Sequence, residues 1–201
     1  PIFLVNGGFF VTGFFIISGF LTFNNYIKTP DVRVFALKRV RRICPAYMLA
    51  VLACFVLGMV LTTHSLGDFL SNPQTWKYLG ANICFLNYLQ PTLPGVFEQN
   101  VLHAMNASLW TMKVEIMFYV TVPVVHWLIR RFGKNKVLLA IVSLSILYNV
   151  VTAELYAYTG NPLFSSLNHQ ILGVLSFFYA PVLILVNREW IIKHLRPLLV
   201  M

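Results

Sequence analysis

Apolar residues fall in runs about as long as a bilayer is thick, and basic residues gather in alternate segments between the runs. Residues 1–23 carry no charge, and about 20 apolar residues suffice to cross a bilayer as a helix, so this stretch is the first predicted span. A polar segment, 24–42, follows. Within it, 34–42 lacks helix breakers and reads as a short helix continuous with, or leading into, a second span over 43–63. Pro45 is placed in the first turn of that span, where a missing N–H is harmless. Further spans are predicted over 109–129, 137–158 and 168–186, the first two joined by a tight turn, RRFGKNK, centred on Gly133. In the long connection 64–108, Trp76, Leu79, Ile83 and Leu86 recur at helical spacing and predict a helix over 74–90. Asn82, Asn87 and Gly80 interrupt it, and Pro91, Pro94 and Gly95 end it. The fold class is therefore all-α, a polytopic transmembrane bundle of about five spans plus one outer helix, interfacial or re-entrant, within a single domain.

Charge orients these spans. All of the 15 Lys and Arg residues except Lys77 and Lys113 cluster at 28–42, 130–136 and 188–196, at alternate ends of the spans. Lys and Arg accumulate in short cytoplasmic loops, so the three clusters belong inside and the 64–108 connection outside. A crossing by the 74–90 helix would put Arg130, Arg131, Lys134 and Lys136 outside, so that helix is predicted not to cross.

With 58% hydrophobic and 10% charged residues among 201, the composition excludes a water-soluble domain. The net charge of +9 serves topology, and no nucleic-acid partner is expected. The three cysteines, Cys44, Cys54 and Cys84, have neither CxxC spacing nor an even count and read as small apolar packers. His64, His103, His126, His169 and His194 are scattered without the spacing of a metal or nucleophile motif; only His103 lies near the main polar motif. No metal site is expected.

That motif is 106–123, NASLWTMKVEIMFYVTVP, which sets Lys113 and Glu115 among apolar residues. A charge at the bilayer centre costs roughly 2.5–3.5 kcal/mol on insertion scales, so an acidic residue there points to function. Both residues also lie within two turns of the helix start, where long side chains can reach the interface. Tyr119 follows Glu115 by one turn on the same face. Asn106 and Trp110 stand at the outer end, where a tryptophan also serves as an interface anchor. Ser18, among Gly7, Gly8, Gly13 and Gly19, reads first as a small residue for close helix packing.

Three segments, FFVTGFFIISGFL, FALKRVRRICPAY and NASLWTMKVEIMFYVTVP, carry a resemblance. In this order and spacing, over residues 9–123, they resemble the membrane-bound acyltransferase-3 family, O-acetylases of O-antigens and other glycans. The matching patterns are FFxxSGF (Phe14, Phe15, Ser18, Gly19, Phe20), RxxRIxPxY (Arg39, Arg42, Ile43, Pro45, Tyr47) and LWTxKVExxFY (Leu109 to Tyr119). The resemblance implies a bacterial inner-membrane enzyme that moves an acyl group, acetyl foremost, from acyl-CoA to a hydroxyl of a cell-surface glycan. Acyl-CoA is a co-substrate and no bound cofactor is implied. Arg39 and Arg42 are expected to bind the donor, because guanidinium groups hold phosphate by charge-assisted bonds; the alternative is that the whole cluster sets topology or binds anionic lipid. Glu115 and Tyr119 are the catalytic candidates. Asn106, Trp110, Lys113 and Ser18 are acceptor-pocket candidates. Fifteen residues at about 1.5 Å each put Glu115 roughly 22 Å from Arg130, so donor phosphates and Glu115 are expected at opposite ends of the bundle. The family places an essential histidine on a helix before FFxxSGF and has further helices later, so the chain is expected to be part of a larger enzyme, inactive alone. The competing reading is a transporter or channel segment with Lys113 and Glu115 lining a polar path.

Overall fold

The computed structural model describes residues 7–100 and 102–195, and every regular element among them is helical. In chain order these are α1 (Gly7–Lys28), α2 (Val32–Leu61), α3 (Leu66–Ser71), α4 (Pro73–Ile83), α5 (Trp110–Phe132), α6 (Lys134–Thr159), α7 (Pro162–Asn168), α8 (Ile171–Val186) and α9 (Arg188–Leu195). Single 3₁₀ turns form at Asn87–Leu89 and Ala107–Leu109. Five segments are long and apolar enough to cross a membrane: Gly8–Lys28, Val32–Leu61, Ala107–Phe132, Lys134–Thr159 and Pro162–Val186. The all-α polytopic architecture is thus the observed one. Its outward surface is apolar, with Ile17 62%, Leu49 70%, Val60 76% and Leu144 65% exposed. Such a surface suits hydrocarbon, whereas soluble proteins rarely expose contiguous apolar patches beyond a few hundred Å².

The chain divides after Phe35 and after Val114 into two compact units. The first takes α1, most of α5 and α6 to α9. Here α8 packs against both α1 and α6. Gly19 makes the α1 approach possible, since a Cβ there would lie 2.0 Å from the Phe178 carbonyl oxygen. The α6 contact is polar. Ser145 Oγ donates to the Leu172 carbonyl at 2.8 Å and accepts from the Ser176 N–H at 2.9 Å, bridging both ends of one α8 turn. Asn149 Nδ2 donates to the Gly173 carbonyl at 2.6 Å, and Thr152 Oγ1 donates to Asn168 Oδ1. Interhelical bonds in membranes average about 0.6 kcal/mol, so Ser145→Ala should cost about 1 kcal/mol. A lowered thermal unfolding midpoint in detergent, with Ser145→Thr closer to the parent, is the expected result; an unchanged midpoint for the alanine would deny the bridge its weight. Between α5 and α6, Gly133 takes φ +94°, as the tight RRFGKNK turn requires.

The second unit takes most of α2, then α3, α4 and the 3₁₀ turns. Its core joins Cys54 of α2 to Phe69, Tyr78, Leu93 and Val96. Thr62 Oγ1 donates to the Pro94 carbonyl at 2.9 Å, tying the end of α2 to the long connection. Ser65 caps α3 by accepting from the Asp68 N–H, and Asn72 caps α4 by accepting from the Gln74 N–H, with Pro73 in the first turn.

Three expectations need correction. Pro45 does not start a helix: α2 runs unbroken through it from Val32. The N–H it lacks would have met the Arg41 carbonyl, and Arg41 and Arg42 are exposed, so a polar surround can satisfy that oxygen. The predicted 74–90 helix ends at Ile83, and Phe85 adopts φ +60°. At 11 residues it spans about 16 Å, too short to cross. Its periodic apolar residues Trp76, Ile83 and Leu86 are exposed, while Thr75, Tyr78 and Asn82 are buried. Polar satisfaction explains the inversion: Thr75 Oγ1 donates to the Phe69 carbonyl, and Asn82 Nδ2 donates to the carbonyls of Tyr78 and Gln90. Finally, the predicted 168–186 span holds as α8, but its helix starts at Ile171 and a short helix precedes it. α7 begins earlier, with Asn161 as cap and Pro162 in its first turn, and the chain breaks at His169 and Gln170 before α8. The exposed thiol of Cys84 also departs from the packing role expected of it, whereas Cys54 is buried.

Candidate active site

Glu115 lies just over one turn into α5, and it is buried. Its Oε1 accepts two hydroxyls: Ser18 Oγ of α1 donates at 3.2 Å, and Tyr119 OH, one turn further along α5, donates as well. No hydrogen bond to Oε2 occurs among the described residues. The result is a carboxylate whose one oxygen is held by two side chains and whose other oxygen can take a further donor. A buried carboxylate in a membrane-spanning helix needs such partners, because desolvation without them is costly. The surrounding packing is aromatic and rigid: Phe15 of α1 meets Phe118 edge-on at 5.3 Å, Phe118 stacks on Phe178 of α8 at 4.3 Å, and Phe35 meets Tyr119 edge-on at 6.1 Å. Below it, Thr121 Oγ1 and Tyr179 OH share a hydrogen bond of 2.7 Å.

The FFxxSGF stretch therefore divides its labour. Gly19 provides the close helix approach, and Ser18 bonds the carboxylate rather than serving as a packer alone. Nothing local announces this, since Ser18 and Glu115 are 97 residues apart.

Asn106, Trp110 and Lys113 come together in the second unit. They line a cavity of about 200 Å³ with Tyr78, Asn87 and Tyr88. Asn106 caps the turn that opens α5, its Oδ1 accepting from Ser108 N at 3.1 Å and Ser108 Oγ at 2.6 Å, while its Nδ2 makes a weak bond to Cys54 Sγ at 3.7 Å. Lys113 Nζ sits 4.9 Å from the centroid of the Tyr88 ring, a cation–π contact. Burial pushes the Tyr78 phenol above the ordinary tyrosine range, with the neighbouring Cys54 thiol adding to the shift. Sequence reasoning did not include Tyr78, Asn87 and Tyr88 in this pocket, because they sit on the connection, where periodicity marks other residues. Lys113 and Glu115, although close in sequence, are two apart on one helix and do not face each other.

On α2, Arg42 is exposed, as are Arg33, Lys38 and Arg41, whereas Arg39 is buried. The two arginines of the RxxRIxPxY pattern thus differ in environment despite their spacing. His126 packs edge-on to Tyr26 at 5.3 Å and lies beside Phe23 of α1. Eleven residues along α5 place it about 16 Å from Glu115, too far to exchange a proton with it directly. His103 is exposed.

No curated protein and no solved structure matches the chain. The family model described as an acyltransferase domain matches residues 1–201, extending past the 9–123 stretch that carries the three motifs. Together with five helices long and apolar enough to cross a membrane, that match replaces the transporter alternative, and the chain belongs to the acyltransferase-3 family as a multi-pass membrane acyltransferase.

Proposed function

We propose that the protein transfers an acyl group, acetyl foremost, from acyl-CoA to a hydroxyl of a cell-surface carbohydrate in a bacterial inner membrane, with its basic loops cytoplasmic. In this reaction the glycan oxygen attacks the thioester carbonyl, the new C–O bond forms, the C–S bond breaks, and CoA leaves as its thiol with the proton lost by the hydroxyl. The observation that carries the proposal is the buried Glu115 carboxylate held on one oxygen by Ser18 and Tyr119, in a chain of this family. Glu115 positions the attacking hydroxyl through Oε2, and Tyr119 and Ser18 hold the carboxylate in place. The family resemblance assigns proton removal to a histidine on a preceding helix; imidazole titrates in the range that such a step needs.

Arg42, exposed at the basic end of α2, binds the phosphates of the donor together with Arg39. Removing one charge-assisted bond of this kind costs about tenfold in affinity or more. Arg42→Ala should therefore raise the KM for acetyl-CoA by about tenfold with a smaller change in kcat, while Arg33→Ala, which serves topology, leaves both unchanged. An unaltered KM in Arg42→Ala would remove the donor role.

The reaction itself is tested by transfer of radiolabel from acetyl-CoA to membrane glycans in cells that express the intact gene product. Label in the carbohydrate fraction is the expected result. Absence of labelled carbohydrate with acetyl-CoA and with longer acyl-CoA donors would overturn the reading.

A further inference from the structure

A further cavity lies wholly within the first unit, between the last turns of α1, the start of α6, the end of α8 and the start of α9. Its volume of about 530 Å³ is within the range of small-molecule sites. Hydrogen bonds between α6 and the end of α8 fix its wall. Lys134 Nζ donates to the Val186 carbonyl at 2.7 Å, and Asn187 Nδ2 donates to Asn135 Oδ1 at 2.8 Å and to the Leu183 carbonyl at 3.0 Å.

The lining is half apolar and half cationic. Ile27 and Leu185 belong to helices long and apolar enough to cross a membrane, and beside them stand Lys134 and Arg188. An ammonium has three N–H groups, so Lys134 keeps two for a ligand after bonding Val186, and the exposed Arg188 brings a planar fork of donors suited to phosphate. At about 100° per residue, Arg188 falls on the arc of α9 that carries Ile191 and Ile192, whereas Glu189 and Lys193 share the other side. A cation among apolar positions at the end of a span lays its stem on apolar surface and sets its head at the level of lipid headgroups. Trp190 lines the cavity too. It is 64% exposed, and its ring is stacked on His194 at 4.3 Å, the orientation of an interfacial anchor being thereby fixed.

Charge selects among ligands. Glu189 is the one carboxylate lining the cavity, and Lys193 follows it at a spacing where opposite charges attract. At the same ends of the helices, Lys28 closes α1, Arg130 and Arg131 close α5, and Lys136 lies in the first turn of α6, against Asp31 alone. The field there is positive, so an anionic ligand gains over a zwitterion of the same size. A soluble anion would use only the cations. A phospholipid uses the apolar half as well.

We propose that this cavity is a binding site for an anionic phospholipid, its phosphodiester held by Arg188 and Lys134 and the upper part of its acyl chains lying along Ile27 and Leu185. Basic pockets between membrane helices hold phospholipid headgroups in this manner. The site does not depend on the acyl-transfer reading above.

The test uses the intact protein, purified in detergent and stripped of lipid, with single binding events resolved by native mass spectrometry. The probes are dioleoyl phosphatidylglycerol, dioleoyl phosphatidylethanolamine and soluble glycerol 3-phosphate. The expected result is a Kd for the first phosphatidylglycerol about tenfold below that for phosphatidylethanolamine, as one charge-assisted contact provides. Arg188→Gln should abolish the preference while both lipids still bind, and Arg188→Lys should retain most of it. Trp190→Ala should weaken both lipids together. Arg33→Gln, which removes an exposed charge outside the cavity, should leave the preference unchanged. Equal affinity of the parent for the two lipids, or a preference that survives Arg188→Gln, would overturn the proposal. A loss in Arg33→Gln as large as in Arg188→Gln would replace the site with a diffuse field, and glycerol 3-phosphate bound as tightly as phosphatidylglycerol would replace the lipid with a soluble phosphate; either result also overturns it.

Discussion

Glu115→Gln lowers kcat for acyl transfer by about 100- to 10,000-fold, the range associated with loss of a group that handles the reacting proton or its donor. The substitution is nearly isosteric, so the aromatic packing around α1, α5 and α8 should persist. The amide oxygen can still accept from Tyr119 and Ser18. What changes is the second atom: the position of Oε2 becomes an NH₂ that donates and cannot accept from a glycan hydroxyl. The KM for acetyl-CoA should stay within a factor of about two, because donor binding is assigned to the arginines of α2. Tyr119→Phe and Ser18→Ala each remove one donor to Oε1 and should cost about tenfold apiece, the weight of a single hydrogen bond to a charged group. Full transfer by Glu115→Gln at matched membrane levels would show that the cluster is structural, and it would move the acceptor site elsewhere.

Gly19→Ala lowers the unfolding midpoint by roughly 4–12 °C, which corresponds to about 2–3 kcal/mol for a domain of this size. Its Cβ would fall 2.0 Å from the Phe178 oxygen and 2.8 Å from the carbonyl carbon. Both are backbone atoms, so no side chain can swing aside, and α1 and α8 must separate. Separation would loosen the edge contact of Phe23 with Tyr179 and the Phe118–Phe178 stack, and it would carry Ser18 away from Glu115. Activity should therefore fall together with stability. Gly13→Ala is the control: a Cβ there meets nothing within 4 Å, and alanine is favoured over glycine in helices by up to about 1 kcal/mol. Thermal scans in detergent with both variants decide the matter. A midpoint in Gly19→Ala equal to that of the parent would mean that the helices approach less closely than described.

The spans, their number and the tight turn at Gly133 were legible in the sequence because each depends on local quantities: the length of an apolar run, the density of Lys and Arg beside it, and one residue able to take positive φ. The Glu115 carboxylate stood out for a similar reason, since a carboxylate in an apolar run is anomalous wherever it is read. Of the four acceptor-pocket candidates, Asn106, Trp110 and Lys113 line one cavity, whereas Ser18 is not among its lining and bonds Glu115 instead. Other features answered to no local signal. The burial of Thr75, Tyr78 and Asn82 instead of the apolar stripe on α4 follows from hydrogen bonds to carbonyls of the neighbouring connection, and the break before α8 comes where Thr152 of α6 bonds Asn168. The bond from Ser18 to Glu115 and the meeting of Gly19 with Phe178 depend on how far one helix slides and turns against another. Apolar run length leaves that register open, because lipid accepts any apolar face equally well; close contacts of small residues and interhelical hydrogen bonds set it. The sequence alone thus determined which helices cross and which residues carry charge into them, while the packing of α1, α5 and α8 decided which hydroxyls the carboxylate holds.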